Sequence, residues 1–378
     1  MPQHEVIGRD LTSGQPTRLR WHQDRITALE PVADAPNDTW IAPALIDLQI
    51  NGFAGVDFQQ DNLTSKELLH AVEKLRVAGC TRFLLTLITD RWTAMLARLQ
   101  HLRKLRAEHP QLRRALAGWH IEGPFLSAEP GFCGAHDPAL MLDPKPEHMD
   151  ELRNICSDDR VLVTISPERL DAIATITHAI SLGMKVSLGH TNAPRKRLVQ
   201  ALQSGATGFT HLGNGCPRQL DRHDNILWRV FETPGFTVSL IPDIIHVSPA
   251  LFRLAHKIIG ADSIYYTTDA MAAAGAPPGK YKLGRLELEV GEDQVVRLPG
   301  APNFAGSALS PIDGVFRAAE MLNCEWRQTW RNFSEIPARL MELEVGLRVG
   351  GPTDFCVIEV APPNQLRSLK VCAGGELP

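Results

Sequence analysis

Residues 44–87 read ALIDLQINGFAGVDFQQDNLTSKELLHAVEKLRVAGCTRFLLTL. Within them an apolar run, a helix signature and a second apolar run follow in order. Thr64-Ser-Lys-Glu67 has the spacing of a capping box, in which the Thr and Glu side chains each satisfy a backbone N–H of the first turn. Leu68, Leu69, Val72 and Leu75 then fall at helical intervals, and Gly79 supplies a stop. Arg82-Phe-Leu-Leu-Thr86 follows at once as a buried-strand pattern. The same rhythm continues outward from this unit. Candidate strands fall at 44–50, 82–87, 116–121, 161–165, 185–188, 208–210, 237–241 and 263–267, with helical stretches between most of them. Eight such units predict an α/β protein built on a (β/α)8 TIM-type barrel, with a doubly wound open sheet as the other arrangement.

The ends of the strands separate the two arrangements. Nearly every strand stops at a chemically capable residue: Asp47, Gln49 and Asn51; Thr86 and Thr89; Glu122; Glu168; His190; His211; Asp243 and His246; Asp269. Side chains at the carboxyl ends of parallel strands converge on one place only when the sheet closes, so this pattern favours the barrel. Outside it, 5–40 reads as short strands (5–8, 17–21, 25–29) without helical period, and the tail after Leu347 returns to strand character. The two ends are expected to form one small β-sandwich domain, 1–43 with 347–378, leaving 44–346 as the barrel. Leu286-Glu-Leu-Glu-Val290 and Val295-Val-Arg-Leu298, separated by Gly291-Glu-Asp, read as a hairpin inserted after the eighth strand.

Composition narrows the function classes. A chain of 378 residues with 44% hydrophobic and 22% charged residues has enough core to need no staples. A net charge of -4 provides no whole-protein field for nucleic acid or an anionic membrane, so neither is expected as a partner. The N-terminus lacks a signal-peptide pattern and no run approaches the ~18 apolar residues of a membrane span. The expected location is the cytoplasm. The seven cysteines are scattered, odd in number and without a CxxC pair, which reads as reduced thiols.

Glu122 in His120-Ile-Glu-Gly-Pro-Phe125, His190 in Val186-Ser-Leu-Gly-His-Thr-Asn192 and His211 in Gly208-Phe-Thr-His-Leu-Gly-Asn214 each end a different strand. One carboxylate and two imidazoles so placed make a three-ligand metal site with an open position for water. Such a site acidifies water and polarises a carbonyl. Asp269, ending Tyr265-Tyr-Thr-Thr-Asp-Ala270, is placed to take a proton from that water and pass it to a departing amine. His136 and His246 are candidates to bind substrate or steady an oxyanion.

These residues lie in motifs whose order and spacing resemble, over nearly the whole chain, the N-acetylglucosamine-6-phosphate deacetylases of the amidohydrolase superfamily. The motifs are Pro43-Ala-Leu-Ile-Asp-Leu-Gln-Ile-Asn-Gly52, His120-Ile-Glu-Gly-Pro124, Gly134-Ala-His136, Gly189-His-Thr-Asn192, Thr210-His-Leu-Gly-Asn-Gly215, His246-Val247, Thr268-Asp-Ala270 and Ala305-Gly-Ser-Ala308. The resemblance implies hydrolysis of the acetamide of N-acetylglucosamine 6-phosphate. It implies Glu122, His190 and His211 as metal ligands and Asp269 as acid/base. It places His136, Asn214, Gly215, Arg222, His246, Phe304, Ala305 and Gly306 on substrate-contacting positions, and it implies a homodimer sharing an arginine across the interface. Many amidohydrolases carry His-x-His at the end of the first strand, where this chain has Gln49-Ile-Asn51. Amides are poor divalent-metal ligands, so one metal per subunit is expected, zinc first, with iron, cobalt or manganese also compatible.

The chain departs from the family pattern after the sixth strand, where Leu220-Asp-Arg-His-Asp-Asn225 replaces a Gly-Arg-Glu-Pro-Gly-like turn. Arg222 keeps the place of a phosphate-gripping arginine. The rewritten surroundings leave a galactosamine epimer or an unphosphorylated sugar as alternatives. A different amide hydrolase on the same scaffold and a catalytically silent sugar-binding or regulatory protein complete the set.

Overall fold

The structure is a computed structural model describing residues 4–299 and 304–378. Residues 1–3 of the expected end-built β domain, and 300–303 of the expected barrel segment, lie outside the described residues.

Eight parallel strands form one sheet in sequence order: Leu45–Ile50, Cys80–Ile88, Leu116–Glu122, Arg160–Ile165, Lys185–Leu188, Gly208–Phe209, Thr237–Leu240 and Ile264–Tyr266. These fall where the sequence placed them, to within two residues at each end. The sheet closes on itself. Ile50 bridges Ala270 in parallel, and the Asn51 N–H donates to the Ala270 carbonyl at 2.7 Å. Below that seam the Asp47 carboxylate accepts from the Thr267 hydroxyl at 2.5 Å, the Thr268 N–H at 2.9 Å and the Thr268 hydroxyl at 2.6 Å. The helix after the first strand, Ser65–Val77, starts on the predicted capping box, with Thr64 accepting from the Glu67 N–H and Glu67 from the Thr64 N–H.

Alternation along the strands sorts the barrel interior into layers. Ile46, Leu48, Leu84, Leu162 and Tyr265 pack with Ile336 and Met341, which plug the end where the strands begin. Above them lies a polar layer in which His120 meets Thr164 Oγ1 at 2.8 Å and Thr210 Oγ1 meets Thr164 at 3.1 Å and Ser187 at 2.7 Å. Burial holds His120 down at about 4, so this layer is uncharged. Glu122, two residues beyond His120, therefore points into the mouth of the barrel.

The chain ends build one six-stranded sheet in the order Gln365–Cys372, Phe355–Ala361, Thr39–Pro43, His4–Asp10, Pro16–His22, Arg25–Pro31. The two chain ends build it together as expected, and it curls over its own core, with Trp21 edge to face with Phe355 at 5.2 Å and the Ile26 N–H donating to the Gly351 carbonyl at 3.0 Å. Ala42, Cys356, Ile358, Val360 and Val371 join the main core beneath the barrel helices, so the barrel covers this face. The other face buries Leu19, Trp21, Ile26, Ile41, Phe355 and Val357.

The insertion after the eighth strand is a three-stranded antiparallel sheet, Gly279–Leu283, Leu286–Val290 and Val296–Arg297. Its first strand was not anticipated. Leu283, Leu288, Val290 and Val296 seat it on Met271, Ala272, Ala273, Ala305 and Ala308 at the mouth of the barrel. No helix among the described residues is long and apolar enough to cross a membrane.

Candidate active site

The mouth of the barrel opens into a cavity of about 340 Å³ whose lining includes Glu122, His136, His190, His211, His246 and Asp269. The separate strand ends thus converge as the closed sheet requires. Glu122 is the hub. Its Oε1 lies 2.8 Å from His211 Nε2 and 3.5 Å from His190 Nε2, and its Oε2 lies 4.0 Å from His136 Nε2. The imidazoles of His136 and His190 stand edge to face at 4.7 Å, and those of His190 and His211 at 4.9 Å.

Each histidine is held differently. His190 Nδ1 faces the Phe132 carbonyl at 2.9 Å, so it donates there and the ring is fixed with Nε2 toward Glu122. A Cβ at Gly134 or Gly215 would come within 2.8 Å of the His190 ring, and both glycines have positive φ. That explains small residues in the two loops that close over this imidazole. His136 Nδ1 meets Thr89 Oγ1 at 2.8 Å, and burial pushes the ring down to about 3, so it is neutral. His211 Nδ1 is buried with no hydrogen-bond partner among the described residues. His246 Nδ1 meets Asp243 Oδ2 at 2.5 Å.

The ligating atoms of Glu122, His136 and His190 all lie within 4.8 Å of one another, a set that could hold a metal ion. It differs from the expected Glu122, His190 and His211 by one histidine, and all three histidines face the Glu122 carboxylate.

Asp269 sits beside this cluster. Gln49 Nε2 donates both to Glu122 Oε1 at 2.9 Å and to Asp269 Oδ1 at 3.0 Å, and Asn51 Nδ2 donates to the same Oδ1 at 2.7 Å. Burial, and next the neighbouring Glu122 charge, push the Asp269 carboxyl up to about 8. Burial works the same way on Glu122. There the hydrogen bonds and charges of His190 and His211 outweigh it and hold the carboxyl well below its usual range. The two carboxylates are thus driven apart in proton affinity.

Asn214, Gly215, Phe304 and Gly306 line the cavity, while Ala305 is buried behind its wall. Arg222 does not line the cavity of its own chain. It is exposed, and its carbonyl accepts from Trp228 Nε1 at 3.2 Å. Glu168 lies outside the cavity as well, where it accepts from the Thr191 hydroxyl and, at 2.9 Å, from the Asn192 N–H, bracing the loop after His190. Three contributions were not anticipated. Thr89 and Asp243 orient histidines, Leu283 and Leu286 of the inserted sheet form part of the wall, and Arg218 stands at the rim. The strand-end pattern pointed at Thr89 and Asp243 without giving them a partner.

No protein-family model matches the chain. It is similar to the N-acetylglucosamine-6-phosphate deacetylase of Rattus norvegicus, 31% identical over 350 residues that cover 87% of this chain and 82% of that protein. It is also similar to a mutant N-acetyl-D-glucosamine-6-phosphate deacetylase of Mycobacterium smegmatis solved in complex with N-acetyl-D-glucosamine-6-phosphate. That likeness has a TM-score of 0.85 at 30% identity and covers 96% of this chain and 94% of the other. Enamidase, a member of the amidohydrolase superfamily, shares the fold at 13% identity, with a TM-score of 0.57 over 99% of this chain and 93% of the other. By fold, by the order of its motifs and by this identity over most of its length, the chain belongs to the N-acetylglucosamine-6-phosphate deacetylase family.

Proposed function

We propose that this chain hydrolyses the acetamide of N-acetylglucosamine 6-phosphate, giving glucosamine 6-phosphate and acetate, with one divalent metal per subunit. The observation that carries the reading is the pairing at the bottom of the cavity: Glu122 amid imidazoles, and Asp269 next to it, its carboxylate tied by the Gln49 and Asn51 amides.

The residues fit a divalent cation. Imidazoles and a carboxylate converge, the Phe132 carbonyl holds His190 with Nε2 inward, and no Lys or Arg among the described residues stands beside the two buried carboxylates to offset them. Glu122, His190 and His211 are our choice of ligands. His211 approaches Glu122 at 2.8 Å and ends a strand, whereas His136 sits on a loop and is tethered to Thr89. The donor set accepts zinc, iron, cobalt or manganese, and zinc comes first. Gln49 and Asn51 put amides where a second metal would need imidazoles, which supports a single ion. When bound, the metal supplies Lewis-acid polarisation of the acetyl carbonyl and acidifies water.

The chain's own residues do the rest. Asp269 takes the proton from the attacking water and returns it to the sugar nitrogen as the C–N bond breaks, one carboxylate serving as base and then acid. His246, steadied by Asp243, and His136, steadied by Thr89, are placed to hold the acetyl oxygen as charge develops on it. Asn214, Gly215 and the Phe304–Gly306 turn shape the sugar site. In this reading 44–346 is the catalytic barrel and 1–43 with 347–378 the accessory β unit. Arg222, exposed and outside its own cavity, would meet a sugar phosphate only from a second copy, which supports the homodimer. All seven cysteines are free, in keeping with a cytoplasmic location.

Acetate release from the 6-phosphates of N-acetylglucosamine and N-acetylgalactosamine, and from both unphosphorylated sugars, tests the reading alongside metal analysis. Release from N-acetylglucosamine 6-phosphate, lost on chelation and restored by zinc, is the expected result. Metal-loaded protein that frees acetate from none of the four would sink it.

A further inference from the structure

We propose that Arg218 reads the sugar phosphate from within the same subunit. The inference rests on the deacetylase reading above and names the residue that recognises its anionic substrate. Among the described residues, Arg218 is the single Lys or Arg that lines the cavity. Its guanidinium lies 5.9 Å from the centroid of the Phe304 ring and has no carboxylate partner among the described residues.

The carboxylates nearest in sequence are engaged elsewhere. Asp221 accepts from the His223 and Asp224 N–H groups, and Asp224 pairs with Arg229 at 2.6 Å. Arg218 is therefore a cation left free at the rim of a cavity whose floor holds two carboxylates. A phosphate dianion is drawn to the free guanidinium at that rim, and a sugar held there by its phosphate turns its acetamide toward the floor. Phe304 joins the two ends, since its ring also meets the His246 ring at 5.2 Å. Arg218 thus stands two ring contacts from the histidine assigned to the acetyl oxygen.

The base of the side chain is fixed as well. A Cβ at Gly131 would come within 2.6 Å of Pro217, so the residue before Arg218 packs directly on the loop that carries His136. A guanidinium anchored this way, with a ring beneath it, loses little freedom on gripping phosphate bidentately. This role differs from that of Arg222, which does not line the cavity of its own chain.

The experiment compares Arg218→Ala, Arg218→Lys and Arg222→Ala in two ways. One is steady-state acetate release from N-acetylglucosamine with and without the 6-phosphate. The other is calorimetric binding of glucosamine 6-phosphate and glucosamine, which needs no turnover. Arg218→Ala should cut the preference for the 6-phosphate about tenfold to a hundredfold, mainly through KM and affinity, and Lys should restore part of it. Equal losses on both sugars, or full preference retained in Arg218→Ala while Arg222→Ala abolishes it, overturn the inference. An Arg218→Ala affinity loss specific to the phosphate in a wild type that frees no acetate would uphold Arg218 and reject the deacetylase reading instead. Unchanged affinity would reject Arg218 alone.

Discussion

Gln49→Leu isolates the amide that joins the two carboxylates of the site. The side chain is 2% exposed, and its Nε2 donates to Glu122 Oε1 at 2.9 Å and to Asp269 Oδ1 at 3.0 Å. Leucine keeps most of the volume and removes the donor. Asp269 Oδ1 retains the Asn51 Nδ2 bond at 2.7 Å, so one of its two amide tethers survives. A hydrogen bond to a charged group contributes about 1.5–3 kcal/mol, and each 1.4 kcal/mol is about tenfold in rate. Loss of one tether should therefore lower kcat about tenfold to a hundredfold, with the surviving Asn51 bond favouring the smaller figure. The pH profile supplies a second readout. A donor favours the ionised carboxyl, so removing it raises the Asp269 carboxyl further and moves the acid limb of kcat/KM to higher pH. Acetate-release kinetics across the acid limb, with metal content measured on the same sample, make the assay. A fully metallated Gln49→Leu enzyme with wild-type kcat and an unmoved acid limb would refute the tether. Metal loss in its place would reassign Gln49 to holding Glu122.

Asp269→Asn should retain the metal and lose about 10²- to 10⁴-fold in turnover, and near-normal single-turnover acetate release would remove Asp269 from its role. Thr89→Val deletes the hydroxyl that meets His136 Nδ1 at 2.8 Å. About 1 kcal/mol, or roughly fivefold in kcat/KM, is expected, and unchanged kinetics would mean that Thr89 does not set this ring. Asp57 accepts from the Gly284 N–H of the inserted sheet at 2.8 Å, and burial pushes its carboxyl from 3.8 to about 6. Because the folded chain holds this proton more tightly than the unfolded one, the cost of the buried charge is absent well below the unfolded value and grows as pH rises toward and through about 6. The stability of Asp57→Asn relative to wild type should rise by about 1.4 kcal/mol between about pH 5 and about pH 7.5, and a pH-independent difference in denaturation midpoints would contradict it.

The barrel was legible because its strands are buried on both faces and read as apolar, β-branched runs, and because Thr64 and Glu67 cap the first helix through purely local bonds. Glu122, His190, His211 and Asp269 were legible for a topological reason: in a closed parallel sheet, the last residue of any strand is near the last residue of every other. What was hidden depends on exposure or on loop geometry. The strand Gly279–Leu283 carries exposed Lys280 and Lys282, so it lacks the apolar signal of a buried strand. The terminal strands alternate as sandwich strands do, and nothing in them reveals that the barrel helices cover their inner face. Arg222 stood at the expected spacing after His211, yet the turn that follows the sixth strand brings Arg218 to the rim and leaves Arg222 outside. Spacing along an irregular segment does not fix direction.

Backbone strain falls on three residues of the site. His190, His211 and Asp269 all have positive φ, at 49°, 30° and 51°, in a region that non-glycine residues rarely adopt. Each such residue costs on the order of 1–3 kcal/mol and persists only where its surroundings over-determine it. Here serines do so. The His190 carbonyl accepts from the Ser127 N–H at 3.0 Å and the Ser166 hydroxyl at 2.7 Å. The His211 N–H donates to Ser239 Oγ at 2.6 Å, and the Asp269 carbonyl accepts from the Ser307 N–H at 2.9 Å. Each of these three residues is pinned through its backbone by an element other than its own strand, which leaves its side chain free for chemistry. The turn out of each strand aims an imidazole or carboxylate across the barrel axis rather than along the following loop. Strain held this way is set at folding and need not be supplied when substrate arrives, which is the form that pre-organisation takes in this barrel.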